Sequence, residues 1–130
     1  MCGRFTSSTT PAELADYFEA DDEGVAELAE SYNVTPTSDC YIVRDDGDHR
    51  ILDIAHWGLV PQWAESPSVG SRLINARSET AAVKPSFRSA FRRRRCLIPV
   101  NGFYEWVAVE GRKRKQPFHL HACDGRPLAF

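Results

Sequence analysis

Two strand-like runs separated by an acidic, glycine-containing turn limit the fold more than any other stretch. Cys40 to Arg44 is apolar and β-branched, Asp45-Asp46-Gly47-Asp48 is turn chemistry, and Arg50 to Trp57 resumes the strand pattern. This arrangement predicts an antiparallel hairpin. The pattern recurs toward the C-terminus. Phe103 to Val109 alternates around Glu105, with Phe103 and Val107 on its face and Tyr104 and Trp106 on the other. Glu110-Gly111 turns the chain, a basic cluster from Arg112 to Lys115 ends the turn, and Phe118 to Cys123 forms the return strand. An Asp124-Gly125 turn then leads to a last strand starting at Leu128. Cys96 to Val100 is a continuous apolar run, which predicts a buried strand.

Helices are few. Thr10-Pro11-Ala12-Glu13 has the form of a capping box with proline at the first helical position, and Leu14, Tyr17 and Phe18 follow at helical spacing. A short amphipathic helix is expected over 11–19. Val25 to Leu28 suggests one more turn, and Ser31 to Thr37 an extended segment, because Pro36 disfavours helix at Thr35. Ser86 is placed to cap a second helix with apolar Phe87, Ala90 and Phe91. The expected class is α+β: a mostly antiparallel, curled or barrel-like sheet with short flanking helices.

With 130 residues, 42% hydrophobic and 26% charged, the composition is that of one globular domain. No apolar run approaches a membrane span, and the N-terminus lacks the apolar core of a signal peptide. Cys2, Cys40, Cys96 and Cys123 are widely spaced, which reads as reduced thiols in a cytosolic or nuclear-type compartment. The net charge of −2 hides a polarity: residues 1–66 carry 14 acidic and 3 basic side chains, residues 67–130 carry 4 and 13. Either the halves neutralise each other on folding or the basic half steers an anionic ligand. Between Arg72 and Arg95, Lys84 included, eight basic residues face the single acid Glu79, and Arg88, Arg92 and Arg95 recur as one helical stripe. A phosphate-contacting surface is the better reading of so one-sided a stretch.

Several residues could carry chemistry. If Met1 is removed, which a small second residue allows, Cys2 becomes the N-terminus and offers an α-amine and a thiol on adjacent carbons. An α-amine titrates near ~7.7–8.0, so much of it is neutral at pH 7. It can condense with an aldehyde, and the thiol can then close a thiazolidine ring. A cysteine in second position is common without any such role, so support must come from elsewhere. Glu105 lies mid-strand among apolar neighbours, where desolvation would suit it to proton transfer; an ion pair with the basic half is the alternative. Asn75 can donate to an aldehyde oxygen and accept from an amine, or simply satisfy its loop. Trp63, on a loop, can stack on a base or roof the core. His119, His121 and Cys123 fall on one strand face, but ordinary alternation accounts for them; no metal and no cofactor are expected.

Taken together, MCGRF at 1–5, YNVTPT at 32–37, WGLVPQW at 57–63, INARSET at 74–80, RRCLIPVNGFYEW at 94–106 and KQPF at 115–118 resemble the SOS response-associated peptidase (SRAP) family. That family includes proteins once described as hydroxymethylcytosine binders of embryonic stem cells. The resemblance implies a mostly-β fold that binds single-stranded DNA and traps abasic sites in the DNA damage response. Cys2, freed by autocatalytic release of Met1, would join the deoxyribose aldehyde as a thiazolidine. Asn75 would position sugar and amine, and Glu105 would shuttle protons. Arg4 and Arg77 would hold phosphates, Asn33 and Pro36 would shape the groove, and Trp63, Lys84 and Arg88 would extend the DNA contact. The complete protein would be a monomer in the cytoplasm, on the nucleoid when bound to DNA.

Two departures qualify the resemblance. Ala64 follows Trp63 where family members often carry a second bulky residue, which reduces the stacking wedge. Family domains also continue with a further strand block and an HxRMP motif whose histidine completes the catalytic set; no histidine here stands in that motif. Residues 1–130 are therefore expected to be the N-terminal portion of one SRAP domain. The other readings are a non-catalytic single-strand binding remnant and a peptidase acting on other proteins.

Overall fold

A computed structural model describes residues 2–130, so the fate of Met1 lies outside the described residues. In chain order the elements are β1 (Phe5–Ser7), α1 (Pro11–Phe18), β2 (Ala20–Asp21), β3 (Ser31–Val34), β4 (Asp39–Asp45), β5 (Arg50–His56), a 3-10 segment (Pro67–Arg72), α2 (Ser78–Ala81), α3 (Arg88–Arg93), β6 (Cys96–Leu97), β7 (Pro99–Val100), β8 (Gly102–Val107), β9 (Gln116–His121) and β10 (Leu128–Ala129). The strands form two four-stranded sheets, β3-β1-β8-β9 and β2-β5-β4-β6, and a two-stranded ribbon, β10-β7. The class is α+β with mainly antiparallel pairing. None of these sheets closes into a barrel among the described residues.

The barrel-like expectation fails at Pro99. Proline has no N–H to donate to a ladder, so Cys96 to Val100 cannot run as one strand. It splits instead: β6 pairs with β4 through Val43↔Leu97 and Arg44↔Cys96, whereas β7 pairs with β10 through Leu128↔Val100. Only Pro99 and Val100 are buried; Cys96 and Leu97 are exposed.

Local chemistry sets the first helix. The Thr10 hydroxyl accepts from the Glu13 amide at 3.4 Å, and the Glu13 carboxylate accepts from the Thr10 amide at 3.0 Å. Two otherwise orphaned donors are thereby satisfied. The helix stops at Phe18 because Glu19 is left-handed, with φ 51°. The chain then enters β2, which runs parallel to β5, a pairing with no sequence signature. Val25 to Leu28 forms no helical turn; the Leu28 amide donates instead to the Tyr41 hydroxyl at 2.6 Å.

Two cores result. Leu14 of α1 packs with Tyr41, Val43 and Leu52 from the β4–β5 hairpin. Phe5, Val34, Cys40 and Val100 form the other, with Cys2, Trp57, Ile98, Phe103 and Leu128 packed around them. The second core is the one that matters for the site, because it holds Cys2.

The basic segment differs from expectation in detail. Ser86 does not cap α3; Phe87 stands at the cap position without a side-chain bond. The helix ends at Arg93, so Arg95 leaves the stripe, and its guanidinium lies 5.9 Å from the Phe91 ring centre. Arg88 and Arg92 remain one helical turn apart.

Candidate functional site

Phe5 fixes the start of the chain. It is buried in β1, paired with Val34 on one side and Phe103 on the other, and its ring lies 5.1 Å from that of Trp57. Cys2 is thereby held, half-buried, at the edge of this core. Its thiol donates to the Arg4 carbonyl at 3.3 Å.

Asn75 reaches Cys2 from far along the chain. Gly58 has a φ of 148°, and a Cβ there would meet the Gly70 carbonyl oxygen at 2.6 Å. Only glycine lets the two backbones approach so closely. Leu59 then donates to the Leu73 carbonyl at 3.1 Å, and the Trp57 indole donates to the Ile74 carbonyl at 2.8 Å. With its loop pinned in this way, the Asn75 amide donates to the Cys2 carbonyl at 2.8 Å. Trp57 and Gly58 were not among the site residues expected from sequence, although both sit in the WGLVPQW motif. Their part is to aim Asn75.

Below this contact lies an apolar groove of about 450 Å³, lined by Cys2, Phe5, Trp57, Ile74, Asn75 and Phe130 among others. Glu105 is half-buried on β8, opposite Phe118 and on the face away from Tyr104 and Trp106. It is close enough to Cys2 for its charge to act on the thiol. Burial chiefly pushes the Cys2 thiol above its ordinary value, the hydrogen bond to Arg4 opposes that shift, and the Glu105 carboxylate adds to it.

The expected DNA contacts divide into two groups. Arg4 donates to the Asn33 side-chain oxygen at 2.8 Å, so these two residues are coupled beside Cys2. Pro36 is half-buried in a loop locked to Trp57, where Thr37 donates to the Trp57 carbonyl and Trp57 to that of Ser38, both at 2.9 Å. Trp63 projects from its loop at 63% exposure, so it does not roof the core. Arg77, Lys84 and Arg88 are exposed on the α2–α3 segment.

Among the described residues Arg–carboxylate pairs include Arg44–Asp53 at 2.8 Å, Arg50–Glu19 at 3.9 Å and Arg126–Asp124 at 2.6 Å. None of these three pairs involves the cations from Arg72 to Arg95. His119, His121 and Cys123 do not converge: among the described residues no three His, Cys, Asp or Glu side chains are placed to share a metal ion. No described helix is long and apolar enough to cross a membrane.

Fold and site together define an α+β protein with a cysteine at its N-terminal edge, an asparagine on that cysteine's backbone and a glutamate beside its thiol. The sequence profile of the SOS response associated peptidase (SRAP) family matches residues 1–130, and the chain belongs to that family. The abasic site processing protein YoaM of Bacillus subtilis (strain 168) is 37% identical over 131 residues, covering 100% of this chain and 57% of YoaM. The abasic site processing protein HMCES of Pongo abelii is 31% identical over 144 residues, covering 93% of this chain and 40% of HMCES. A crystal structure of a Bacteroides thetaiotaomicron protein superposes with a TM-score of 0.83 at 24% identity, covering 98% of this chain and 57% of that one; this likeness is one of fold. The chain thus spans 57% of YoaM and 40% of HMCES.

Proposed function

We propose that residues 1–130 are the part of an abasic site processing protein that carries its nucleophile, and that they bind single-stranded DNA and join Cys2 covalently to the abasic-site aldehyde. Hydrolysis of the Met1–Cys2 bond consumes one water and frees the amine. The amine adds to the aldehyde carbon, and the adduct loses water to give an imine. The Cys2 sulfur then adds to the imine carbon while the thiol proton passes to nitrogen, closing the thiazolidine. Capture releases one water overall.

The observation that carries this reading is the 2.8 Å hydrogen bond from Asn75 to the Cys2 carbonyl at the mouth of the groove. It fixes the backbone of the residue whose amine and thiol must both meet one carbon atom, and such fixed orientation is a large part of the rate in ring-forming chemistry. Glu105 is the proton carrier in this scheme. As sulfur adds to the imine carbon, the thiol proton is relayed to nitrogen through the Glu105 carboxylate. Arg4 with Asn33, and the exposed cations Arg77, Lys84 and Arg88, supply the phosphate contacts; Trp63 supplies a face for a neighbouring base.

The names of the relatives support this reading, as does the exposure of the basic side chains along the α2–α3 segment. The test is incubation with an oligonucleotide carrying one abasic site, followed by a denaturing gel. A shifted, heat-stable band is expected; reversible binding without that band would leave only a single-strand binder.

A further inference from the structure

We propose that the outer face of the β8–β9 hairpin is a second track for single-stranded DNA, separate from the Cys2 groove. Bases would stack along Trp106, Tyr104, His119 and His121, and the Arg112 to Lys115 turn would hold phosphates. The proposal rests on the reading above only in taking single-stranded DNA as the ligand.

The register sets the track. Tyr104 faces His119, Gly102 faces His121 and Trp106 faces Pro117, so the four rings project from one side of the ribbon. Their centres follow one another at 6.3 Å from Trp106 to Tyr104, 5.0 Å to His119 and 5.4 Å to His121. Glu105, between Tyr104 and Trp106 in sequence, points to the opposite face, toward the thiol that its charge perturbs. The track and the Cys2 groove therefore lie back to back.

Two of the rings, His119 and Tyr104, are anchored by hydrogen bonds. The Thr6 hydroxyl is buried, donates to the Gly102 carbonyl at 3.2 Å and lies 3.3 Å from His119 Nε2. The Thr6 hydroxyl and His119 Nε2 are within hydrogen-bonding distance, which anchors the imidazole against β1. Gly102 leaves the space for this: a Cβ there would run into the His119 ring and the Leu120 carbonyl. The Tyr104 hydroxyl donates to the Tyr32 carbonyl at 3.0 Å, tying the next ring to β3. Rings fixed in a row on a sheet face form a stacking surface that costs little further ordering on binding.

Charge selects the ligand. Arg112, Lys113, Arg114 and Lys115 are consecutive and exposed at the Trp106 end of the row, and none of the three ion pairs named above involves them. Arg112 donates to the Gln116 side-chain oxygen at 3.0 Å, and an apolar peptide would stack on the rings without meeting the positive charge of the turn. A strand of nucleic acid answers both, with bases on the rings and phosphates at the turn.

The experiment is photocrosslinking of the chain, and of its Cys2→Ala variant, to an undamaged oligonucleotide carrying 5-iododeoxyuridine, followed by peptide mapping. Adducts on Trp106, Tyr104 or His119 are expected in both proteins, because this DNA contains no aldehyde. The K113Q/R114Q/K115Q variant changes only exposed residues and should reduce the salt slope of binding by about 0.7 for each phosphate left without its cation. Adducts confined to other segments, an unchanged salt slope, or Trp106 covered by a second copy of the chain in sedimentation and footprinting would each overturn the proposal. Failure of abasic capture alongside hairpin adducts would count against the Cys2 reading alone, and the reverse pattern against this one alone.

Discussion

The two long hairpins of this chain are built alike and covered differently. In β4–β5 the inward residues Tyr41, Val43 and Leu52 are buried under α1, which adds Leu14. In β8–β9 the strands are one residue shorter and largely uncovered: Trp106, Val107, Phe118 and Leu120 are all exposed. Both hairpins have the alternation expected of half-buried strands, so the pattern does not decide which is covered. A helix with a well-made cap does. The first hairpin is scaffold, and the second presents side chains on both faces, Glu105 toward Cys2 and the ring row away from it.

That contrast can be broken at several points. The largest effect is expected at Glu105. Glu105→Gln should slow covalent capture by about 10²–10⁴-fold, the usual worth of a positioned proton carrier. Single-turnover gel kinetics would measure it, and an unchanged rate would make the residue structural. Next come the cores. Leu14→Ala, at 2% exposure, should cost about 2–5 kcal/mol in denaturant unfolding. Leu120→Ala, at 42% exposure, should stay within about 0.5 kcal/mol. Equal losses would mean that the second hairpin is covered in solution.

Smaller effects probe charge. Arg77→Ala and Arg88→Ala should each lower the salt slope of single-strand binding by about 0.7 without sequence preference. A fluorescence titration across salt concentrations reads this directly. If affinity ignores salt, the α2–α3 cations are not phosphate contacts. The last effect is at the thiols. Burial pushes the Cys40 thiol up to about 11, so it should resist alkylation at pH 8 while exposed Cys123 reacts. The Glu105 charge raises the Cys2 thiol, so Glu105→Gln should lower its pKa, enlarge the thiolate fraction at pH 8 and speed its alkylation. Mass-resolved alkylation of both proteins checks the sign.

Much of the scaffold was legible because its causes are local. Thr10 and Glu13 announce α1 within four residues, and Asp45-Asp46-Gly47-Asp48 announces the β4–β5 turn. What escaped depends on distant partners. β2 is two residues of parallel pairing, too short to leave a pattern. Cys96 to Val100 looks continuous until Pro99 is asked for an N–H it lacks. The site shows the same division. Cys2, Asn75 and Glu105 were nominated individually by their chemistry and jointly by their motifs. The contact that brings Asn75 to Cys2 spans 73 positions and depends on the approach of Gly58 to Gly70. No local rule reveals that approach. The ring row escaped because Thr6 and Gly102, which set His119, belong to different strands.

The central claim is that Cys2 forms the bond to DNA, and intact mass spectrometry of the crosslinked product tests it most directly. The expected species has the mass of the chain without Met1 plus the abasic oligonucleotide minus one water, with the modification mapping to Cys2. Cys2→Ala should yield no heat-stable product, and Cys2→Ser only an imine that survives after borohydride reduction. A stable adduct of the same mass on another residue, or one that persists undiminished in Cys2→Ala, would contradict it.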